Sequence, residues 1–224
     1  ELQVLGVLAL ALWLPGHALL IITKGTGRWP GLQLPIVVIG LSAASYPVFY
    51  YGVRFVAPSV GLTPIFLWAI LGLCGLVVAI ARLQGQQRSE RWQPLEWVAV
   101  GLVALTLATR LWVAHENPYP AWADSLHHVL LTGLTAEAGR LPYTLAPYFP
   151  VDVNMYHLGL YALAGTVQGL TGAPAHTALL WTAQVFSGLA GLGVYLALHS
   201  GHHRVGAVVG LAIVGLVSLQ PAFY

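Results

Sequence analysis

The residues best suited to chemistry lie in the longest polar connection of the chain, shortly after its midpoint. Asp124 is followed by His127 and His128, so in a helix the three side chains share one face. A carboxylate beside imidazoles can accept a proton from a hydroxyl or help to hold a divalent cation. We assign no fixed metal site, because such a site needs a further ligand such as Glu137 or Asp152. The alternative role of Asp124 is a helix N-cap, for which aspartate is a preferred residue.

An amphipathic helix is predicted to position these side chains. Between Ser125 and Gly139, apolar residues recur at helical spacing: Leu126, Val129, Leu130, Leu131 and Leu134. Asp124 occupies the N-cap position, and Gly139, followed by Pro142, ends the helix. Because only one face is apolar, we expect this helix to lie along the membrane interface instead of crossing the membrane.

The composition of the chain is that of a membrane protein. Of its 224 residues, 58% are hydrophobic and 7% are charged, whereas a soluble domain is about a quarter charged. A spanning helix needs roughly 20 mainly apolar residues. Stretches near that length occur at 2–23, 33–55, 62–83, 95–115, 154–171, 176–198 and 204–223. The sequence therefore predicts an all-α, polytopic helical bundle in a lipid bilayer, with about seven transmembrane helices plus the interfacial helix.

Several classes of protein are excluded by the same counts. The net charge of +2 comes from few, scattered residues, so no nucleic-acid partner is expected. The single cysteine, Cys74, lies in an apolar run, so neither a disulfide framework nor a cysteine-based metal site is possible. Arg54 and Arg110 lie close to the ends of predicted spans, where long basic side chains usually extend to the interface.

The basic residues predict an orientation. Five of them follow the first and third spans, on one side of the membrane: Lys24, Arg28, Arg82, Arg88 and Arg91. Short loops rich in such residues are cytoplasmic, so the loop 116–153 is expected on the outer side, in a bacterial inner membrane. With seven spans, Arg204 is expected on the outer side too, against this trend.

Two further expectations concern the extent and organisation of the chain. It begins at Glu1 without methionine and stops directly after an apolar run, so we expect a processed protein or a piece of a longer one. Residues 1–94 are interpreted as an N-terminal three-helix membrane segment. Residues 95–224 are interpreted as a second membrane segment that carries the loop 116–153.

Four short motifs lie in and after the outer loop: Pro120-Ala121-Trp122-Ala123-Asp124-Ser125, Glu137-Ala138-Gly139-Arg140-Leu141-Pro142, Pro147-Tyr148 and Tyr156-His157-Leu158-Gly159. With these motifs, the segment resembles the first outer loop of the GT-C superfamily of membrane glycosyltransferases. The similarity covers about residues 95–200, and three additional spans precede it. It implies a spanning helix, an outer loop with an acidic residue near its start, an interfacial helix and further spans.

The resemblance also implies an activity. The donor would be a sugar linked to a polyprenyl phosphate, and the transfer would occur on the outer face. Asp124 matches the acidic residue of the loop, and its implied role is the general base on the acceptor hydroxyl or a ligand of a divalent cation. The implied substrate-binding residues are His127, His128, Glu137, Arg140, Tyr148 and His157. The loop tyrosines have an alternative role as an aromatic belt at the membrane boundary.

Two other functions remain open from the sequence. The chain is alternatively a non-catalytic transmembrane accessory subunit of a larger respiratory or photosynthetic complex, since most spans hold few polar groups. A transporter fragment ranks lowest, because the charges lie at helix ends instead of near the membrane midplane. The loop 116–153 discriminates between the first two functions: an enzyme needs Asp124 to face a lipid-accessible cavity, whereas an accessory subunit would bury the loop against other membrane subunits.

Overall fold

The computed structural model describes residues 1–85, 92–117, 119, 124–154, 156–201 and 203–217, without the side chains of residues 124 and 217. Across these ranges the chain is all-α, and its only β-type pairing is an isolated bridge between Thr144 and Asp152. The α-helices are α1 (Leu2–Ile22), α2 (Gln33–Val56), α3 (Pro64–Leu83), α4 (Pro94–Glu116), α5 (Asp124–Ala138), α6 (Gly159–Thr171), α7 (Ala175–Ser200) and α8 (Arg204–Ala212). A π-helical turn, Ile213–Val217, continues α8.

Five helices are long and apolar enough to cross a membrane: α1, α2, α3, α4 and α7. They coincide with five of the predicted spans, and they support the expected lipid bilayer environment. Their starts follow from local sequence signals. Thr63 accepts a hydrogen bond from the Phe66 amide and precedes a proline at the start of α3, and Gln93 and Glu96 form a capping box at the start of α4.

The stretch 154–171 was predicted as a span, but it forms a helix of only 13 residues, α6. At about 1.5 Å per residue, α6 is roughly 20 Å long, which is short of a hydrocarbon core of about 30 Å. Leu158 directly precedes it, and Gly172 ends it in the left-handed conformation, with a φ of 69°. For the predicted span 204–223, the described helical part ends at Val217, and the remainder lies outside the described residues.

Contacts between the helix ends define two ends of the bundle. At the end that we name the loop end, His115 Nδ1 of α4 lies 3.1 Å from Glu1 Oε2, and the Leu62 amide donates to the Gly139 carbonyl at 2.7 Å. At the opposite end, the Leu32 amide donates to Glu96 Oε1 at 2.8 Å. The start of α1, the loop 57–63, the end of α4 and the end of α5 therefore share the loop end.

Because α6 does not cross the bundle, α7 runs in the direction opposite to the expected one. The carbonyl at the end of α6 accepts a hydrogen bond from Gln3 at 3.4 Å, and the His176 ring at the start of α7 stacks on Tyr119 at 4.8 Å. The expectation that Arg204 accompanies the loop 116–153 was therefore wrong. Arg204 Nη1 donates to Gln93 Oε1 at 2.7 Å, at the opposite end of the bundle.

The core of the bundle is centred on α6. Residues 161–167 are all buried, and the Tyr50 hydroxyl of α2 lies 3.0 Å from the Thr166 hydroxyl. Glycine at position 165 permits the close approach of α5, because a Cβ there would lie 2.7 Å from Thr135 Cγ2. The hydrophobic cluster around α6 includes residues of α1, α2 and α3, so the two predicted segments, 1–94 and 95–224, share one core.

Candidate functional site at the loop end

A helix is present where the amphipathic helix was predicted, as α5, whose described residues run from Asp124 to Ala138. Gly139 follows with a φ of 61°, which confirms the predicted end. The N-cap position of Asp124 and the interfacial location of the helix stay predictions. The side chains of Leu131, Thr132 and Thr135 are buried against the bundle, whereas Leu126 is 74% exposed. The buried face thus combines apolar and hydroxyl groups and packs on α6 and α7.

Asp124 itself is placed by the backbone alone. It is the first residue of α5, so the next turn carries His127 and His128 on the same side. Its side chain lies outside the described part of the structure, and the predicted roles as N-cap and as general base stay predictions.

His128 is held against α6 by Tyr161. Its Nδ1 is hydrogen-bonded to the Tyr161 hydroxyl, and the two rings stack with centroids 5.7 Å apart. Tyr156 lies 6.4 Å from both rings and stacks on His157 at 5.1 Å. A hydrogen bond to one ring nitrogen orients an imidazole and determines which nitrogen carries the proton. These four residues, His128, Tyr156, His157 and Tyr161, form what we name the imidazole cluster.

A short antiparallel turn carries the aromatic residues beside the cluster. The amide of Leu145 donates to the Val151 carbonyl at 2.9 Å, and the Val153 amide donates to the Tyr143 carbonyl at 2.9 Å. The ring of Phe149 lies 6.0 Å from that of His127. The turn therefore places exposed aromatic side chains at the rim of the loop end, among them Tyr148, Phe149 and Tyr156.

Glu137 and Arg140, which the resemblance placed among the substrate-binding residues, lie away from the imidazole cluster. Glu137 is exposed near the end of α5, about 14 Å along the helix axis from His128 at 1.5 Å per residue. The Arg140 guanidinium donates to the Pro58 carbonyl in the loop between α2 and α3. Arg140 therefore belongs to the contact between the end of α5 and that loop.

Arg54 is a site residue that sequence reasoning missed. It was expected to extend to the interface, but it is 4% exposed. Its guanidinium lies 4.0 Å over the Tyr143 ring and donates to Asn154 Oδ1, while the Tyr143 hydroxyl donates to the Arg54 carbonyl at 3.0 Å. No local pattern marks this burial, because it depends on the folding of the distant segment 143–154 over the end of α2.

Potential metal ligands do not converge in the described part of the chain. It contains no group of three or more histidine, cysteine, aspartate or glutamate side chains that could hold a metal ion, a statement that leaves out the side chain of Asp124. Comparisons with protein-family models, with curated proteins and with solved structures returned no match to this chain. The functional argument therefore depends on the sequence motifs and on the geometry of the loop end.

Proposed function

We propose that this chain is a membrane glycosyltransferase of the GT-C type, or a part of one, which transfers a sugar from a polyprenyl-phosphate donor. The observation that carries the proposal is the arrangement at the start of α5. Asp124 begins the helix, His127 and His128 follow one turn later, and His128 is oriented by its hydrogen bond to Tyr161. A carboxylate and oriented imidazoles at one end of a bundle suit transfer to a hydroxyl.

The proposed chemistry is a displacement at the anomeric carbon of the sugar. The acceptor hydroxyl oxygen forms a bond to that carbon, and the bond from the carbon to the donor phosphate oxygen breaks. The hydroxyl proton passes to the carboxylate of Asp124, and the phosphate keeps the electron pair of the broken bond. The imidazoles of His127 and His128 stabilise the negative charge of the departing polyprenyl phosphate.

A lipid-linked donor suits the surroundings of the site. Tyr148 is 60% exposed and Phe149 is 49% exposed at the rim of the loop end, where aromatic side chains favour the boundary between lipid and water. A donor with a membrane-embedded tail can reach such a rim from the side, while its sugar phosphate stays in the polar layer.

We propose an outer location for the loop end. Lys24, Arg28, Arg82 and Arg204 all lie at the opposite end of the bundle, since α7 runs away from the loop end. Basic residues in short loops stay on the cytoplasmic side. The loop end is then on the outer face of the inner membrane of a bacterium.

The test is donor turnover by the full chain in proteoliposomes that contain a radiolabelled polyprenyl-phosphate hexose. We expect Asp124→Asn to abolish transfer, with normal membrane insertion, because an amide cannot accept the acceptor proton. Glu116→Gln is the matched control, since it removes an exposed carboxylate at the same end. Unchanged transfer in Asp124→Asn would remove Asp124 from the catalytic role. No turnover by the wild-type chain, together with co-purifying cofactor-bearing subunits, would instead favour the accessory-subunit function.

A further inference from the structure

Arg54 is a buried cation whose described contacts are with electrically neutral groups. It contacts the Tyr143 ring and the amide oxygen of Asn154. The carboxylate of Asp152 is bound to Asn154 instead, through the backbone amide at 2.7 Å and the side-chain amide at 2.9 Å. Within the described ranges, Arg54 forms no ion pair.

Among the described contacts the guanidinium makes one side-chain hydrogen bond, and its other donors are available to a ligand. Arginine is rarely buried unless it is paired, and its guanidinium has five donors in a fixed fork. The described hydrogen bond to Asn154 uses one of them. The fork matches a phosphate group, to which it can donate two parallel hydrogen bonds. An anionic group would therefore complete the surroundings of Arg54.

The position of Arg54 connects it with the imidazole cluster. One turn earlier on α2, the Tyr51 hydroxyl donates to the Tyr156 carbonyl at 3.4 Å and accepts from the Leu158 amide at 3.3 Å. The next residue, Gly159, begins α6, whose N-terminus has no side-chain cap. The unpaired amides at a helix N-terminus carry a partial positive charge. The guanidinium, this N-terminus and the imidazole cluster thus adjoin the same short segment.

We propose that Arg54 binds the phosphate group of a phosphate ester at the loop end. The inference rests on the proposed function, in which that ester is the polyprenyl-phosphate donor or product. It assigns a role to the N-terminal segment 1–94, which precedes the region of GT-C resemblance. Helix α2 supplies a cation that holds the phosphate, and α5 supplies the base for the acceptor hydroxyl and the imidazoles that stabilise the departing phosphate.

The test is equilibrium binding to the full chain in detergent micelles. The probes are a radiolabelled polyprenyl phosphate, the polyprenol of equal length and inorganic phosphate as a competitor. We expect Arg54→Gln to weaken polyprenyl phosphate binding by about tenfold or more, the size of a lost charge-assisted hydrogen bond, without changing polyprenol binding. Arg28→Gln, which removes an exposed cation at the opposite end, is the matched control.

A second variant separates ligand binding from a merely structural role. Asn154→Ala removes the hydrogen bond between α2 and the segment 143–154 but keeps the guanidinium. We expect it to bind polyprenyl phosphate within about twofold of the wild type, because the charge-assisted bonds to phosphate remain. Equal weakening by Arg54→Gln and Asn154→Ala would overturn the proposal, and so would wild-type affinity in Arg54→Gln. If Arg54→Gln does not fold, Arg54→Met replaces it, and wild-type affinity in a folded Arg54→Met has the same meaning, since methionine keeps a long unbranched side chain without a charge.

The remaining outcomes identify the source of the phosphate and separate this inference from the proposed function. Competition by inorganic phosphate supports a site for any phosphate group, and its failure to compete supports a lipid-linked one. A chain that binds polyprenyl phosphate through Arg54 but transfers no sugar keeps the phosphate site and refutes the transferase. A chain that transfers sugar equally well with Arg54→Gln keeps the transferase and refutes the phosphate site.

Discussion

Replacing Gly139 with alanine tests the contact that joins the end of α5 to the N-terminal segment. Gly139 has a φ of 61°, and its carbonyl accepts a hydrogen bond from the Leu62 amide at 2.7 Å. A Cβ at position 139 would lie 2.5 Å from the nitrogen and 2.6 Å from the oxygen of Leu62. Because both atoms belong to the backbone, they cannot move away by a side-chain rotation.

The expected loss of stability is the sum of two terms. Left-handed backbone costs a non-glycine residue roughly 1–2 kcal/mol, and the separation of the two backbones loses a hydrogen bond worth about 0.5–1.5 kcal/mol. We therefore expect the free energy of unfolding to fall by about 1.5–3.5 kcal/mol. The matched control is Gly172→Ala, where φ is 69° but no atom lies within 4 Å of the added Cβ. Only the conformational term of about 1–2 kcal/mol applies there.

The assay is reversible unfolding of both variants in mixed detergent micelles, followed by circular dichroism. The reasoning predicts that Gly139→Ala is more destabilised than Gly172→Ala by about 1 kcal/mol or more. Equal losses in the two variants would refute it, because the close contact with Leu62 would then contribute nothing. Sugar transfer measured on the folded fraction of Gly139→Ala would show whether this contact also positions the site.

Three further predictions follow from the described contacts. Gly16→Ala is expected to lower the free energy of unfolding by at least about 2 kcal/mol in the same assay, since overpacking costs about 1–3 kcal/mol. The added Cβ would lie 2.1 Å from a backbone oxygen of α2, which cannot rotate away. A loss under about 1 kcal/mol would contradict this packing. Tyr161→Phe is expected to reduce sugar transfer about tenfold and to change the free energy of unfolding by about 1 kcal/mol. The phenylalanine ring still stacks on His128, but the hydrogen bond from the tyrosine hydroxyl is lost. Unchanged transfer would show that this hydrogen bond does not position His128 for the reaction. In a chain without its native cysteine, a membrane-impermeant thiol reagent is expected to label Tyr148→Cys from the outside but not Gly27→Cys, and the reverse result would invert the proposed orientation.

Several features of the fold were readable from the sequence because their causes are local. Apolar stretches of spanning length predicted α1 to α4 and α7, since backbone groups in lipid must be satisfied within a helix. The end of α5 was predicted from Gly139, a glycine that follows the last helical residue in the left-handed conformation.

The interpretation of 154–171 failed for a physical reason. An apolar stretch indicates that a segment is removed from water, but it does not indicate whether the segment contacts lipid or other parts of the protein. Helix α6 contacts protein, since residues 161–167 are buried among the other helices. The same error placed Arg204 on the wrong side, because the side of each later loop depends on the number of crossings before it.

The sequence by itself determined the environment of this protein, its helical class and the residues able to do chemistry at the start of α5. Only the tertiary structure decided which of the candidate residues contact one another. His128 has Tyr161 as its partner and Arg54 lies under the segment 143–154, whereas Glu137 and Arg140 lie elsewhere. Composition and periodicity depend on near neighbours in the chain. The rotation of a helix and the partner of a buried charge depend on distant segments, whose packing no local pattern specifies.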